Sequence, residues 1–369
     1  MIDFKLADLR KKKGITQKEL GDVLGVSYQT VSKWENGIVL PDIETVANLS
    51  EYFEVSADAL LGLVPLSEEY QPSNSGTKEY WAGRLEYLKR TRKTMWNEDY
   101  IWFLIENVWK IRKPVTVLDC GCGYGALGLL LLPMLPEGSK YVGIDFSEVM
   151  LAEAGKIYEE AGYEGEFILT DIMDYSPIKK YDVVISQAVL RHVDNGEQFL
   201  QKMVTFMKPG GLFISLECNR EFEEVGLYID GMDYAYLCEH EGLKKLWAKE
   251  LAMQNRDYSI AMKLPHYMKK VGLVDVECRM NDRITYLEPN QNGYNQNLAE
   301  IAAAHWTNGK SAEEVEQEIA YYMNHGMSRV EAERYCRREN MIVQHLRKHS
   351  GEVALTKMDG IVISYGWKR

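Results

Sequence analysis

The densest chemistry in this chain of 369 residues lies in Val117-Leu118-Asp119-Cys120-Gly121-Cys122-Gly123-Tyr124-Gly125. Strand-type residues lead into alternate glycines, and a helix-type run, Ala126 to Leu132, follows. Glycines let a backbone approach a ligand closely, and a helix start offers free N–H groups. Asp145 ends the next strand-type segment 20 residues after Gly125. A carboxylate there can accept both hydroxyls of a ribose.

Gly123-Tyr124-Gly125-Ala126-Leu127-Gly128 also satisfies G-x-G-x-x-G, so a dinucleotide-dependent dehydrogenase is a rival reading. Three features weigh against it. Asp119 stands two residues before the first glycine, where a carboxylate can hold a cationic amino group. Thr170-Asp171-Ile172 follows the third strand-type segment, where Asp171 can accept an adenine amino proton beside apolar Ile172. Lys208-Pro209-Gly210-Gly211 forms a turn before the fifth. Together these features make residues 80–369 resemble the class I S-adenosylmethionine-dependent methyltransferases. Trp96-Asn97-Glu98-Asp99-Tyr100, followed by Val108-Trp109-Lys110-Ile111, is similar to a bacterial small-molecule subgroup of them. The resemblance implies an α/β Rossmann-like fold and S-adenosyl-L-methionine as cofactor. It implies that Asp145, with Phe146 beside it, takes the ribose and that Asp171 and Ile172 bracket the adenine. Gly121, Cys122, Gly123 and Gly125 would line the amino-acid half, and Gln187 and Ala188 the sulfonium.

Methyl transfer needs positioning and an outlet for the acceptor's proton. His192, shortly after the fourth strand, and Glu217, ending the fifth, are the candidate bases. Asp194, His240 and His266 have weaker positional claims. Trp96, Tyr100, Tyr228 and Tyr234 are candidate lining for the acceptor, with Tyr236, Met232 and Met262, since aromatic faces suit a sulfonium or an amine. Cys120 and Cys122 form C-x-C without a second Cys/His pair at ligand spacing, so no metal is expected. Segment Ser186-Gln187-Ala188-Val189-Leu190 lacks the paired prolines of amino-methylating DNA enzymes, and the chain has no Pro-Cys dipeptide. The expected acceptor is therefore a small molecule rather than a DNA base.

Ile15 to Gly37 (ITQKELGDVLGVSYQTVSKWENG) carries a second motif. Thr16 and Glu19 form a capping box, Gly25 permits a sharp turn, and Ser27 can cap the next helix. Residues 1–63 resemble the lambda-repressor-like, Xre-type helix-turn-helix family. The resemblance implies that the second helix enters the major groove of double-stranded DNA, with Ser27, Tyr28, Gln29, Thr30 and Lys33 at base edges and Gln17 on a phosphate. Gln29 suits an adenine edge and Lys33 a guanine or phosphate. Leu20, Val31 and Trp34 read as core. A homodimer would favour a near-palindromic site.

These sites need elements to hold them. Strand-type segments at 115–119, 141–145, 166–169, 181–186 and 212–217 alternate with helices, the pattern of a mostly parallel sheet. A further strand at 274–279 and a β-rich segment at 353–365 follow. Helical insertions at about 220–261 and 290–350 read as a cap over the strand ends. Residues 64–79 have linker composition. The expected architecture is an all-α helix-turn-helix domain (1–63), a linker (64–79) and an α/β methyltransferase domain with a helical cap (80–369).

Charge narrows the function classes. The chain has 43 basic and 55 acidic residues, a net of −12. That excludes a protein that coats nucleic acid, though not a small DNA-reading domain. MIDFKLADLRKKKG has no signal-peptide pattern, six Cys make no disulfide framework, and no apolar run is long enough for a bilayer. The expected setting is cytoplasmic, without a membrane partner. Two functions fit: methylation of a small molecule by a protein that also reads DNA, or a regulator whose methyltransferase fold senses cofactor or metabolite without turnover.

Overall fold

The computed structural model describes residues 4–63, 66, 70–74, 76–92, 95–306 and 310–369. Residues 64, 65, 67–69 and 75 of the expected linker, and 307–309 of the second insertion, lie outside the described residues. The chain forms two compact units.

The first unit comprises Met1–Gln71, His240–Lys249 and Gly309–Asn340. Its N-terminal part holds five helices: α1 (Leu6–Lys12), α2 (Gln17–Leu24), α3 (Tyr28–Glu35), α4 (Ile43–Phe53) and α5 (Ala57–Leu60). The capping box forms: Thr16 Oγ1 accepts the Glu19 N–H at 3.2 Å, and Glu19 Oε2 accepts the Thr16 N–H at 2.7 Å. Ser27, Asp42 and Ser56 cap α3, α4 and α5. Gly25 ends α2 at φ 69°, the left-handed conformation the turn requires. A cap contributes about 1 kcal/mol. Burying one leucine contributes about 2 kcal/mol. The caps therefore set where helices begin, while Leu6, Leu20, Val31, Trp34, Leu49 and Leu60 set how they pack.

The rest of this unit departs from the linear division read in the sequence. Residues 240–249 and 309–340, expected in one cap with the rest of the insertions, group with the helix-turn-helix. The Arg329 N–H donates to Leu63 O at 2.8 Å, the Gln71 N–H donates to Asn324 Oδ1 at 3.0 Å, and the Tyr70 and His325 rings lie 5.1 Å apart. The first part of the expected linker is thus held against the helices Ala312–Asn324 and Arg329–Lys348.

The second unit comprises Pro72–Glu239, Glu250–Asn308 and Met341–Arg369. Its strands are β1 (Thr116–Cys120), β2 (Lys140–Asp145), β3 (Gly165–Leu169), β4 (Tyr181–Gln187), β5 (Met207–Cys218), β6 (Leu227–Ile229), β7 (Leu273–Met280), β8 (Ile284–Leu287), β9 (Leu355–Met358) and β10 (Ile361–Lys368). Seven form one sheet in the order β3-β2-β1-β4-β5-β10-β7. β3 through β5 are parallel, and β10 runs antiparallel between β5 and β7. The strand order reverses at β1, between β2 and β4, and ligands bind open α/β sheets at the strand C-termini of such a point. Lys208-Pro209-Gly210-Gly211 lies inside β5, where the register slips from Tyr181↔Met207 to Val183↔Leu212. The β-rich C-terminal segment divides: β10 joins the large sheet, while β9 lies between β6 and β8 in a three-stranded sheet that the sequence reading did not anticipate. Both faces of the large sheet are apolar. Val117, Ile185, Ile214 and Ile363 pack on one, Leu118, Ile144, Val184 and Phe213 on the other. Among the described residues, no helix is long and apolar enough to cross a membrane.

Candidate active site

Four strand ends meet around a cavity of about 720 Å³ in the second unit. Asp119, Gly121, Cys122 and Gly123 come from the β1 end, Asp145 and Phe146 from β2, Asp171 and Ile172 from the segment after β3, and Gln187, Ala188 and His192 from that after β4. Of the cofactor residues expected from sequence, Gly125 is the one absent from this wall. Its carbonyl accepts the Tyr158 hydroxyl at 2.8 Å, which anchors the loop from behind.

The loop is tied to β2 by its own amides. The Gly121 and Cys122 N–H groups both donate to Ile144 O, at 2.8 and 3.1 Å. The Gly123 N–H donates to Asp145 Oδ2 at 2.9 Å, and the Ser147 N–H to Asp145 Oδ1 at 2.8 Å. Each Asp145 oxygen keeps a lone pair for a further donor. Burial pushes the Asp145 carboxyl up, and the backbone amides offset part of that. Gly123 has φ 55°, and a Cβ there would project into open space on the cavity wall, so glycine keeps this approach clear.

Asp119 is different. It is 1% exposed, and Tyr141 Oη donates to its Oδ2 at 2.7 Å. Its Oδ1 is buried without a hydrogen-bond partner among the described residues. Burial raises its pKa to about 7, against the pull of Tyr141. A buried carboxylate oxygen left unsatisfied costs free energy that a cationic donor would recover. On the far side, Asp171 Oδ1 accepts the Met173 N–H at 2.8 Å beside buried Ile172.

Ala188 adopts φ 56°, a left-handed conformation uncommon for alanine, and its N–H donates to Leu216 O at 2.9 Å. Ala188 and Gln187 line a second, smaller cavity as well.

The two candidate bases are both held in other tasks. His192 lines the large cavity, but Arg191 Nε donates to its Nε2 at 3.0 Å. Burial and the charges of Arg191, Arg256, Arg220 and Arg92 push its pKa well below the usual value. The ring is neutral and disfavours a proton. Glu217 is fully buried and lines neither cavity. Its Oε1 accepts the Val189 and Leu190 N–H groups at 2.9 and 2.8 Å, so it shapes the turn after β4. The expected aromatic lining is elsewhere too. Trp96 packs on the sheet core, Tyr100 Oη donates to Met280 O at 3.1 Å, and Tyr228 and Tyr234 are exposed. None of the four lines either cavity.

The sequence reading missed one wall altogether. Gly76, Thr77, Lys78, Glu79, Trp81 and Arg92 line the large cavity. The second part of the expected linker is therefore cavity wall. The Ser73 N–H donates to Gln254 Oε1 at 3.0 Å and Arg256 Nη1 to Ser73 Oγ at 2.8 Å, which fixes its start. The one available signal was the basic run Lys89-Arg90-Thr91-Arg92 ending the helix Leu85–Arg92.

In the first unit, α3 presents Tyr28, Gln29 and Lys33 to solvent. Ser27 Oγ and Thr30 Oγ1 are 2.9 Å apart and serve the cap. Gln17, expected on a phosphate, instead donates from Nε2 to Glu35 Oε2 at 2.8 Å, and Arg10 Nε donates to Glu35 Oε1 at 2.5 Å. Burial pushes the Glu35 carboxyl up, but these donors hold it below the usual value.

A family profile described as Helix-turn-helix matches residues 6–60, and one described as Methyltransferase domain matches residues 111–281. The chain joins a helix-turn-helix to a methyltransferase domain. Among curated relatives of the methyltransferase domain, a ubiquinone biosynthesis O-methyltransferase of Bradyrhizobium sp. is 34% identical over 121 residues, 32% of this chain and 46% of the relative. The enzyme of that name from Rickettsia felis is 27% identical over 151 residues, 37% of this chain and 61% of the relative. The chain thus spans about half the length of the curated relatives it matches. A solved structure of the YcgJ protein from Bacillus subtilis is 15% identical at a TM-score of 0.42, over 73% of this chain and 99% of that one.

Proposed function

We propose that this protein is an S-adenosylmethionine-dependent methyltransferase acting on a small molecule, and that residues 6–60 bind double-stranded DNA. The observation that carries the first half is the unpartnered Asp119 Oδ1 in a cavity that also gathers Gly123, Asp145, Asp171 and Ile172. These residues fit the cofactor group by group. Asp119 takes the ammonium, Asp145 the ribose hydroxyls, and Asp171 with Ile172 the adenine. Arg92 lines the same cavity, its Nη1 donates to Thr91 Oγ1 at 3.3 Å, and it pairs with no carboxylate among the described residues. It suits the cofactor's carboxylate. When bound, the cofactor supplies an electrophilic methyl group on a sulfonium. Gln187 and Ala188 form the wall where the acceptor would meet it. Trp81 and residues 76–79 limit water at the cavity. Calorimetry with S-adenosylhomocysteine tests this reading: binding that Asp119→Asn weakens supports it, and no binding by the wild-type chain overturns it.

One observation favours the second reading, a sensor without turnover. Neither His192 nor Glu217 is placed to take a proton, although methyl transfer can proceed on proximity alone. Incubation with a metabolite extract and labelled S-adenosylmethionine separates the two, since a sensor produces no S-adenosylhomocysteine.

The DNA half rests on the exposed Tyr28, Gln29 and Lys33 of α3. Selection from random DNA should return an enriched sequence. A dimer should select half-sites about one helical turn apart.

A further inference from the structure

The second cavity, about 80 Å³, shares Gln187 and Ala188 with the first. Pockets for whole small ligands run to about 300 Å³ and more, so this one has room for a single functional group. Its wall carries four permanent cations, Arg90, Arg191, Arg220 and Lys357, against the carboxylates Glu223, Glu300 and Asp359.

Most of these charges are matched locally. Arg220 pairs with Glu223 and, at 3.5 Å, with Glu224. Lys357 pairs with Asp359. Glu300 accepts a hydrogen bond from Gln296 Nε2 at 3.2 Å. His305 on the same wall is held neutral, its pKa lowered to about 4 by burial and by Lys357. Arg90 and Arg191 are the exceptions: Arg90 is exposed to solvent and its Nε donates to the backbone Glu86 O at 3.2 Å, whereas Arg191 is drawn inward. The Arg191 Nε donates to a neutral ring, His192, and Arg191 pairs with no carboxylate among the described residues. It is only partly exposed. The Arg191 charge helps hold Glu223 below its usual range, and it offsets part of the burial that raises Glu217. Arg92, lining the adjoining cavity, feels Arg191 as a like charge. Two guanidiniums without carboxylate partners among the described residues, Arg92 and Arg191, therefore line the two cavities that share Gln187 and Ala188. An anion relieves such an arrangement, and a guanidinium binds a carboxylate or phosphate through two parallel bonds.

Resting on the methyltransferase reading above, we infer that the methyl acceptor carries an anionic group, a carboxylate or a phosphate, which Arg191 receives in the second cavity, placing the nucleophilic atom beside Gln187 and Ala188. With Arg92 serving the cofactor, Arg191 is the residue that selects the acceptor. It is a specificity residue and takes no part in proton transfer.

Ligand-observed NMR tests this on the full chain, with and without saturating S-adenosylhomocysteine. The probes are inorganic phosphate, followed by phosphorus line broadening, and propionate, followed by saturation transfer. One or both should bind saturably with the cofactor product present, and the two arms tell phosphate from carboxylate. Charged hydrogen bonds of this kind set the size of the loss: Arg191→Gln should weaken that binding about tenfold or more, with partial recovery in Arg191→Lys. Unchanged S-adenosylhomocysteine affinity in both variants would show that the fold and first cavity are intact. If S-adenosylhomocysteine binds but neither anion does, or if Arg191→Gln leaves anion binding unchanged, the anionic-acceptor inference is wrong while the cofactor reading stands. If S-adenosylhomocysteine itself does not bind, the cofactor reading falls and the acceptor assignment with it.

Discussion

The α3 surface and the large cavity are built in opposite ways. Tyr28, Gln29 and Lys33 lie within one eight-residue helix, are exposed, and are oriented by caps a few residues away. The cavity draws on residues from Gly76 to Phe199, and its most informative atom, Asp119 Oδ1, is defined by what fails to reach it. A surface made from one helix depends on local geometry and tolerates exchange of its polar residues. A cavity made from several strand ends depends on burial, and a buried carboxylate has a large energetic consequence in either charge state.

That contrast can be broken most forcefully by deleting residues 1–71. A helix-turn-helix standing alone would be lost without consequence elsewhere. Here the helices Ala312–Asn324 and Arg329–Lys348 also lose the Leu63 and Gln71 contacts. Hydrogen exchange in the truncated chain should rise throughout 312–340. Protection equal to that of the full chain would show these helices to be independent of the N-terminal part. Next in size is Asp145→Ala. It removes the anchor of the Gly123 and Ser147 amides together with the proposed ribose acceptor. S-adenosylhomocysteine affinity should fall by about 100-fold, the scale of two charge-assisted hydrogen bonds, while DNA affinity stays unchanged.

DNA binding should respond by tenths of the site rather than all at once. Lys33→Ala should weaken binding about tenfold and, if Lys33 sits on a phosphate, reduce the salt dependence by about one ion; Gln29→Ala should relax preference at one base pair, by about 1–3 kcal/mol. A titration over salt and a repeated selection measure both. Gln17→Ala separates structure from contact. Its bond to Glu35 predicts a small loss of thermal stability, of about 1 kcal/mol. A variant that binds DNA more weakly with unaltered melting would return Gln17 to the phosphate role.

A pH series sharpens the account of Asp119. With a folded pKa of about 7 against an ordinary 3.8, the folded state holds the proton more tightly than the unfolded chain. Stability from this group is therefore full at low pH and declines as pH rises from about 4 through 7. Binding of an ammonium reverses the preference, because it needs the ionised form. Calorimetric affinity for S-adenosylhomocysteine should increase across pH 7 as Asp119 ionises, by up to about tenfold, and the increase should vanish in Asp119→Asn. A flat profile in the wild type would remove Asp119 from the amino-group role.

Much of this molecule was legible in order along the chain. Both motifs, the capping box at Thr16, and the strand–helix alternation depend on spacing within a few residues, and each recurs in the structure. The gathering of Asp119, Gly123, Asp145, Asp171 and Gln187 follows from the same alternation, because parallel strands bring their C-terminal ends to one edge. What the sequence could not decide were sums over distant neighbours. Residues 64–79 read as linker by composition, yet Asn324 and Gln254 hold parts of it and Gly76 to Glu79 line a cavity. His192 read as a base by position, yet four arginines from separate segments make its protonation unfavourable. Tyr228 and Tyr234 read as pocket by type, yet they are exposed. Local spacing fixes caps, turns and alternation because those energies act within one helical turn or strand pair. Whether a polar atom is paired, buried or charged depends on every segment that folds against it, and only the tertiary structure decides that.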